Sequence, residues 1–208
     1  MKRTVKPSYR FYRSAHRIAR ILFSILFRFE CRGADNIPSG AAMVCSNHSS
    51  YFDPILIAFA FGAGCYLHFM AKVELFKAPV LAFVVAKLGA ISVNRDTLDI
   101  STIKRTLDCF KNGEKVAIFP EGTRSSAADR ITAKNGAVKI AERAGVPLLP
   151  IFVPRKKRLF GKVTLVIGEP YYLEKQSIKR SSDDYTQLAE TLMKKIEALN
   201  PEGHRAEG

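Results

Sequence analysis

The first 28 residues lack any acidic side chain, yet they carry Lys2, Arg3, Lys6, Arg10, Arg13, Arg17, Arg20 and Arg28. They also lack a bilayer-spanning run. Their longest apolar stretch, Ile21 to Phe27, falls far short of the roughly 20 residues a spanning helix needs. A secretory signal fits poorly, because arginines recur throughout and Arg28-Phe-Glu-Cys-Arg32 offers no small-residue cleavage site. Cysteine is sparse: Cys31, Cys45, Cys65 and Cys109 are scattered, with no C-x-x-C and no histidine pairing. That spacing argues against a zinc site or a disulfide framework and fits a reducing cytosol.

What is present is positive charge. Thirty-three Lys and Arg against 19 Asp and Glu give a formal charge of +14, which points to an anionic partner such as a nucleic acid, a membrane surface or a phosphorylated metabolite. In residues 1 to 28 the cations interleave with Tyr9, Phe11, Tyr12, Ile18, Ile21, Leu22, Phe23, Ile25, Leu26 and Phe27. This pattern predicts a basic amphipathic helix lying in the headgroup region, where each Lys or Arg near an anionic surface adds about 1 kcal/mol. The same pattern also suits a helix packed on its own domain with a solvated basic face. Nothing downstream resembles a nucleic-acid module.

At 208 residues with 47% hydrophobic content, the chain is long enough to bury a core in one domain. It shows no internal repeat and no interdomain linker. The expected organisation is a basic N-terminal helix over 1–32, one domain over 33–200 and a short polar tail over 201–208. Apolar runs at Ala41–Ser46, Cys65–Ala71, Ala90–Val93, Lys115–Phe119, Leu148–Val153 and Lys162–Gly168 read as strands. Helices are predicted from Asp53-Pro54, where Asp is expected to cap the helix, and over Val80–Leu88, Thr97–Lys111, Asn135–Ala144 and Ser182–Leu199. Alternation of the two implies an α/β fold, a single domain with a mostly parallel, helix-covered central sheet.

Two strand ends carry chemistry. The first runs into Asn47-His-Ser-Ser-Tyr-Phe-Asp53, where Asp53 can fix the tautomer of His48 and free its other ring nitrogen to take a proton from a hydroxyl. The second runs into Phe119-Pro-Glu-Gly-Thr-Arg-Ser125, an anion-handling turn at the edge where α/β sheets bind ligands.

Asn47 through Asp53 resembles the first motif of the glycerolipid acyltransferases, and Phe119 to Arg124 resembles their third. Gly89-Ala-Ile-Ser-Val-Asn-Arg95 is similar to the second, and Val146-Pro-Leu-Leu-Pro150 to the fourth, all in the family's order. Ser92 departs from the bulkier residue or proline common there. The compact length, basic first helix and complete F-P-E-G-T-R-S make the bacterial 1-acylglycerol-3-phosphate acyltransferases the nearest likeness.

The resemblance implies acyl transfer from acyl-CoA or acyl-carrier protein to the sn-2 hydroxyl of lysophosphatidic acid, giving phosphatidic acid for phospholipid biosynthesis. It implies no cofactor and no metal. His48 and Asp53 would be catalytic. Arg95 and Arg124 would grip the acceptor phosphate, helped by Gly122 and Thr123. Glu121 would orient Arg124 or accept from glycerol hydroxyls, and Lys72 is a further contributor to oxyanion stabilisation. The run Arg155-Lys-Lys-Arg158 would meet CoA phosphates, the acidic carrier protein or the membrane. The expected place of work is peripheral, on the cytoplasmic face of the cell membrane, with an anionic surface as partner. Other acceptors (another lysophospholipid, glycerol 3-phosphate, an aminolipid) remain open, as does a non-catalytic, basic membrane-surface binding protein.

Overall fold

A computed structural model describes residues 6–94, 99–122, 133–174 and 180–201. Among them, seven strands form one sheet: β1 (Arg28–Arg32), β2 (Ala42–Ser46), β3 (Leu67–Lys72), β4 (Ile91–Val93), β5 (Lys115–Ile118), β6 (Leu148–Phe152) and β7 (Lys162–Ile167), in the order β1-β7-β6-β2-β5-β3-β4. Pairing is parallel except between β6 and β7. Strands β2 to β6 therefore share a C-terminal edge, and the β1/β7 pair runs the other way. Every residue of β2 is buried, as its unbroken apolar run requires of a central strand covered on both faces.

Six α-helices are found among the described residues: α1 (Tyr9–Leu26), α2 (Asp53–Phe61), α3 (Pro79–Lys87), α4 (Ile100–Lys111), α5 (Gly136–Ala144) and α6 (Ser182–Ala198). Because neighbouring strand residues point to opposite faces, Met43 and Cys45 join a core with α4, α5 and α6, whereas Val44 joins Leu56, Ile57 and Phe59 of α2 and the inner side of α1. The boundaries of α5 and α6 are chemical. Gly145 closes α5 in the left-handed conformation (φ +64°), and Ser181 with Asp184 forms a reciprocal capping box at the start of α6.

The segment 1–32, expected as one helix, divides in two. The helix stops at Leu26, and Arg28–Arg32 becomes an edge strand registered against Lys162–Val166. Its charges stay outward: Lys162 reaches Glu30 Oε2 at 2.6 Å, and that pairing with Thr164 and Arg32 holds the Glu30 carboxyl down at about 2. Asp53 also departs from expectation. Phe52 occupies the cap position of α2 without a side-chain bond, and the Asp53 carboxylate instead turns back to the amides of Ser49 and Ser50.

The connection leaving β1 is tight. Gly33 has φ +73°, and a Cβ there would lie 2.1 Å from the Ile167 carbonyl oxygen. Gly33→Ala should therefore destabilise the protein by about 2 kcal/mol or more, combining left-handed strain with the clash, read as a lowered midpoint in urea or thermal unfolding.

Candidate functional site

The motif-bearing turns meet at the common C-terminal edge of β2, β5 and β6. Asn47, fully buried, continues the ladder with its side chain after β2 ends: its Nδ2 donates to the Val153 carbonyl (2.8 Å) and its Oδ1 accepts from the Val153 amide (2.8 Å). This two-point clasp fixes where the chain leaves the sheet and so where His48 begins. The imidazole of His48 lies flat against Phe119, which follows β5, with ring centroids 4.0 Å apart and planes inclined by 18°.

His48 Nδ1 is 3.0 Å from Asp53 Oδ2, and Asp53 has no solvent exposure. The same oxygen accepts the backbone amides of Ser49 and Ser50, each at 2.7 Å. Burial alone raises the carboxyl's affinity for a proton. The hydrogen bond from His48, the contact and charge of Lys157 and the Ser49 amide outweigh burial and hold it below its ordinary value. A carboxylate so held can only accept from Nδ1–H, which leaves Nε2 with its lone pair for a substrate proton.

Lys157 belongs to the basic run expected from sequence to meet CoA phosphates, the acidic carrier protein or the membrane. It is instead almost fully enclosed: Nζ lies 2.8 Å from Asp53 Oδ1, 2.6 Å from the Pro154 carbonyl and 3.2 Å from Ser49 Oγ, with its side chain 5% exposed. Arg155, from the same run, lies between Glu197 Oε1 (2.5 Å) and Glu121 Oε1 (3.7 Å). Glu121 is itself buried. Two cations expected to meet an external anion are thus committed inside the fold. Sequence spacing held no signal for this, because Lys157 is more than a hundred residues from its partner.

Beside the dyad is a cavity of about 500 Å³ whose walls include Met70, Val93, Asn94, Phe119, Gly122 and Lys134. Phe119 belongs both to this wall and to the stack on His48. Gly122 has φ +70°, and a Cβ there would come within 2.9 Å of the Lys134 side chain. The second resembling stretch reaches the cavity through Val93 and Asn94. Ser92 of that stretch is anchored from behind, its carbonyl accepting the Thr102 hydroxyl at 2.8 Å. Arg95, Thr123 and Arg124 lie outside the described residues. Lys72 ends β3 in a half-exposed ion pair with Glu74 (3.4 Å) and is absent from the described residues lining the cavity.

A histidine paired with a buried carboxylate, at the ligand-binding edge of an α/β sheet and next to a roomy cleft, is the arrangement that general-base group transfer requires. The chain belongs to the acyltransferase family, whose model matches residues 28–154. It is 32% identical to a Bacillus subtilis protein named 1-acyl-sn-glycerol-3-phosphate acyltransferase, over 90% of this chain and 96% of that one. It is 28% identical to the chloroplastic BAT2 protein of the same name from Brassica napus, over 78% of this chain and 52% of that one. In structure it is similar to the 1-acyl-sn-glycerophosphate (LPA) acyltransferase PlsC from Thermotoga maritima, with a TM-score of 0.68 and 27% identity over 91% of this chain and 80% of that one.

The Asn47 clasp makes a stability prediction. Asn47→Ala leaves the Val153 amide and carbonyl buried and unpaired, so unfolding free energy should fall by about 2–4 kcal/mol. Chemical denaturation checks this, and activity per folded molecule should fall with it as His48 loses its register.

Proposed function

We propose that the protein transfers a fatty acyl group from the thioester of acyl-CoA or acyl-carrier protein to the sn-2 hydroxyl of 1-acylglycerol 3-phosphate, forming phosphatidic acid. The observation that carries this reading is the 3.0 Å contact of His48 Nδ1 with a fully buried Asp53, in a chain of this family. The named relatives supply the acceptor.

In this mechanism the acceptor hydroxyl gives its proton to His48 Nε2 as its oxygen attacks the thioester carbonyl. A C–O bond forms and the carbonyl electrons move to the oxygen. The tetrahedral oxyanion then re-forms the carbonyl and the C–S bond breaks. The departing thiolate takes the proton from the imidazolium, which Asp53 has stabilised in the interval. No enzyme nucleophile and no cofactor take part.

Arg95 and Arg124 are assigned to the acceptor phosphate, because guanidinium groups offer planar, paired donors. Gly122, Thr123 and Glu121 shape that grip. The closeness of Glu121 to Arg155 supports a role in setting cations rather than in moving protons.

The reading extends to a peripheral position on an anionic membrane surface, at the cytoplasmic face of the cell membrane. Among the described residues no helix is long and apolar enough to cross a membrane. Supporting a surface position, α1 exposes Ile18, Ile21, Leu22 and Ile25 together with Arg10, Arg13, Arg17 and Arg20. Exposed Val80, Leu81 and Phe83 of α3 add to this apolar surface, with Phe11 packed edge-on to Phe83. Such a surface inserts its aliphatic groups between headgroups while the arginines meet phosphates.

Two outcomes are expected. His48→Ala should keep the fold and lose about 10²- to 10⁴-fold in turnover with lysophosphatidic acid; near-normal turnover sinks the mechanism, and preference for another lipid in a panel of acceptors sinks the acceptor assignment. Replacing Arg10, Arg13 and Arg17 together with Gln should weaken sedimentation with anionic vesicles. Wild-type binding should also weaken as salt rises from about 0.1 M to about 1 M, which shortens the screening length from about 10 Å to about 3 Å. Unchanged binding in both comparisons would remove the membrane role from α1.

A further inference from the structure

We infer that Lys157 is a positioning residue of the acyl-transfer site, setting both the attitude and the proton affinity of the His48–Asp53 dyad; this rests on the acyltransferase mechanism proposed above. The geometry is that of a third member. Asp53 presents one oxygen to His48 and the Ser49 and Ser50 amides, and the other lies 2.8 Å from Lys157 Nζ. The ammonium is in turn fixed by the Pro154 carbonyl at 2.6 Å and Ser49 Oγ at 3.2 Å, and its side chain is 5% exposed. A lysine so enclosed is in place for the carboxylate rather than for solvent.

Its charge changes what the dyad can do. With Lys157 present, neutral His48, Asp53 and the ammonium sum to zero, and taking the acceptor proton makes the cluster positive. Without it, the cluster begins negative and proton uptake neutralises it. Lys157 therefore opposes imidazolium formation. The imidazolium, once formed, gives its proton more readily to the departing thiolate.

Among the described residues, the other charged groups around the dyad do not duplicate this. Residues 53–61 of α2 contribute no titratable side chain besides Asp53. On the turn after β5, Glu121 is near Arg155, which also pairs with Glu197 of α6. The face supplied by β5 is the uncharged ring of Phe119. Lys157 thus meets the carboxylate from β6's exit loop while His48 meets it from β2's, so one buried charge ties the two exits together.

The test is the pH dependence of kcat/KM for Lys157→Met and Lys157→Arg beside wild type, with lysophosphatidic acid and an acyl-CoA in detergent micelles. Lys157→Met should lower kcat about 10-fold or more, leave the acceptor KM within about two-fold and move the acid limb upward by about one pH unit. Lys157→Arg, which keeps the charge, should leave the limb where wild type has it. A folded Lys157→Met enzyme with an unmoved limb overturns the proposal. If Lys157→Met does not fold, Lys157→Gln replaces it and must show the same upward displacement. Failure of both neutral variants to fold also overturns it, since Lys157 then serves the fold rather than the chemistry. Loss of the acyltransferase mechanism itself would be seen separately, as a His48→Ala enzyme that still turns over.

Discussion

A carboxylate without solvent exposure must be surrounded by donors or give up its charge, and Asp53 keeps its charge. The His48 ring and the Ser49 and Ser50 amides donate to one of its oxygens, and the Lys157 ammonium stands at ion-pair distance from the other. Each has a second task. The two amides curl residues 47–53 back on themselves, the imidazole is held in one tautomer, and the ammonium draws in the chain leaving β6. The first turn of α2 is therefore tied to the position of the His48 ring. The site's rigidity comes from this requirement more than from apolar packing around it.

The energetic character of such a cluster is asymmetric. Replacing the whole set with well-packed apolar groups would cost little stability, whereas deleting one partner strands a charge in low dielectric and costs about 3–5 kcal/mol. A chain that carries the cluster is therefore tied to all its members together, including one that no local motif records. The Asn47 clasp follows the same logic with a neutral amide: its two hydrogen bonds to Val153 are needed because the backbone groups they satisfy lie beyond the end of the β2–β6 ladder.

Most of the sheet is legible in the chain because central parallel strands, buried on both faces, appear as continuous apolar runs such as Ala42–Ser46 and Leu148–Phe152. β1 is not, for a definite reason: Arg28-Phe-Glu-Cys-Arg32 carries charges at an edge where they face solvent, and Phe27 before it is no helix breaker. Only its pairing with β7 reveals it as a strand. His48 and Asp53 are readable as neighbours on one turn, although the backward twist of Asp53 is not, since an acid before proline equally suits an ordinary cap. Lys157 was hidden by company. In a run of four cations, nothing distinguishes the one that turns inward until β2 and β6 are known to lie side by side.

The pairing of β1 with β7 also bears on how the chain comes off the ribosome. Glu30 stands opposite Thr164, so the edge strand near the start of the chain has no partner until residues 162–167 have been made. Contacts of that separation are entropically expensive and form late. β1 therefore has to wait until β7 has been made before the sheet can receive it.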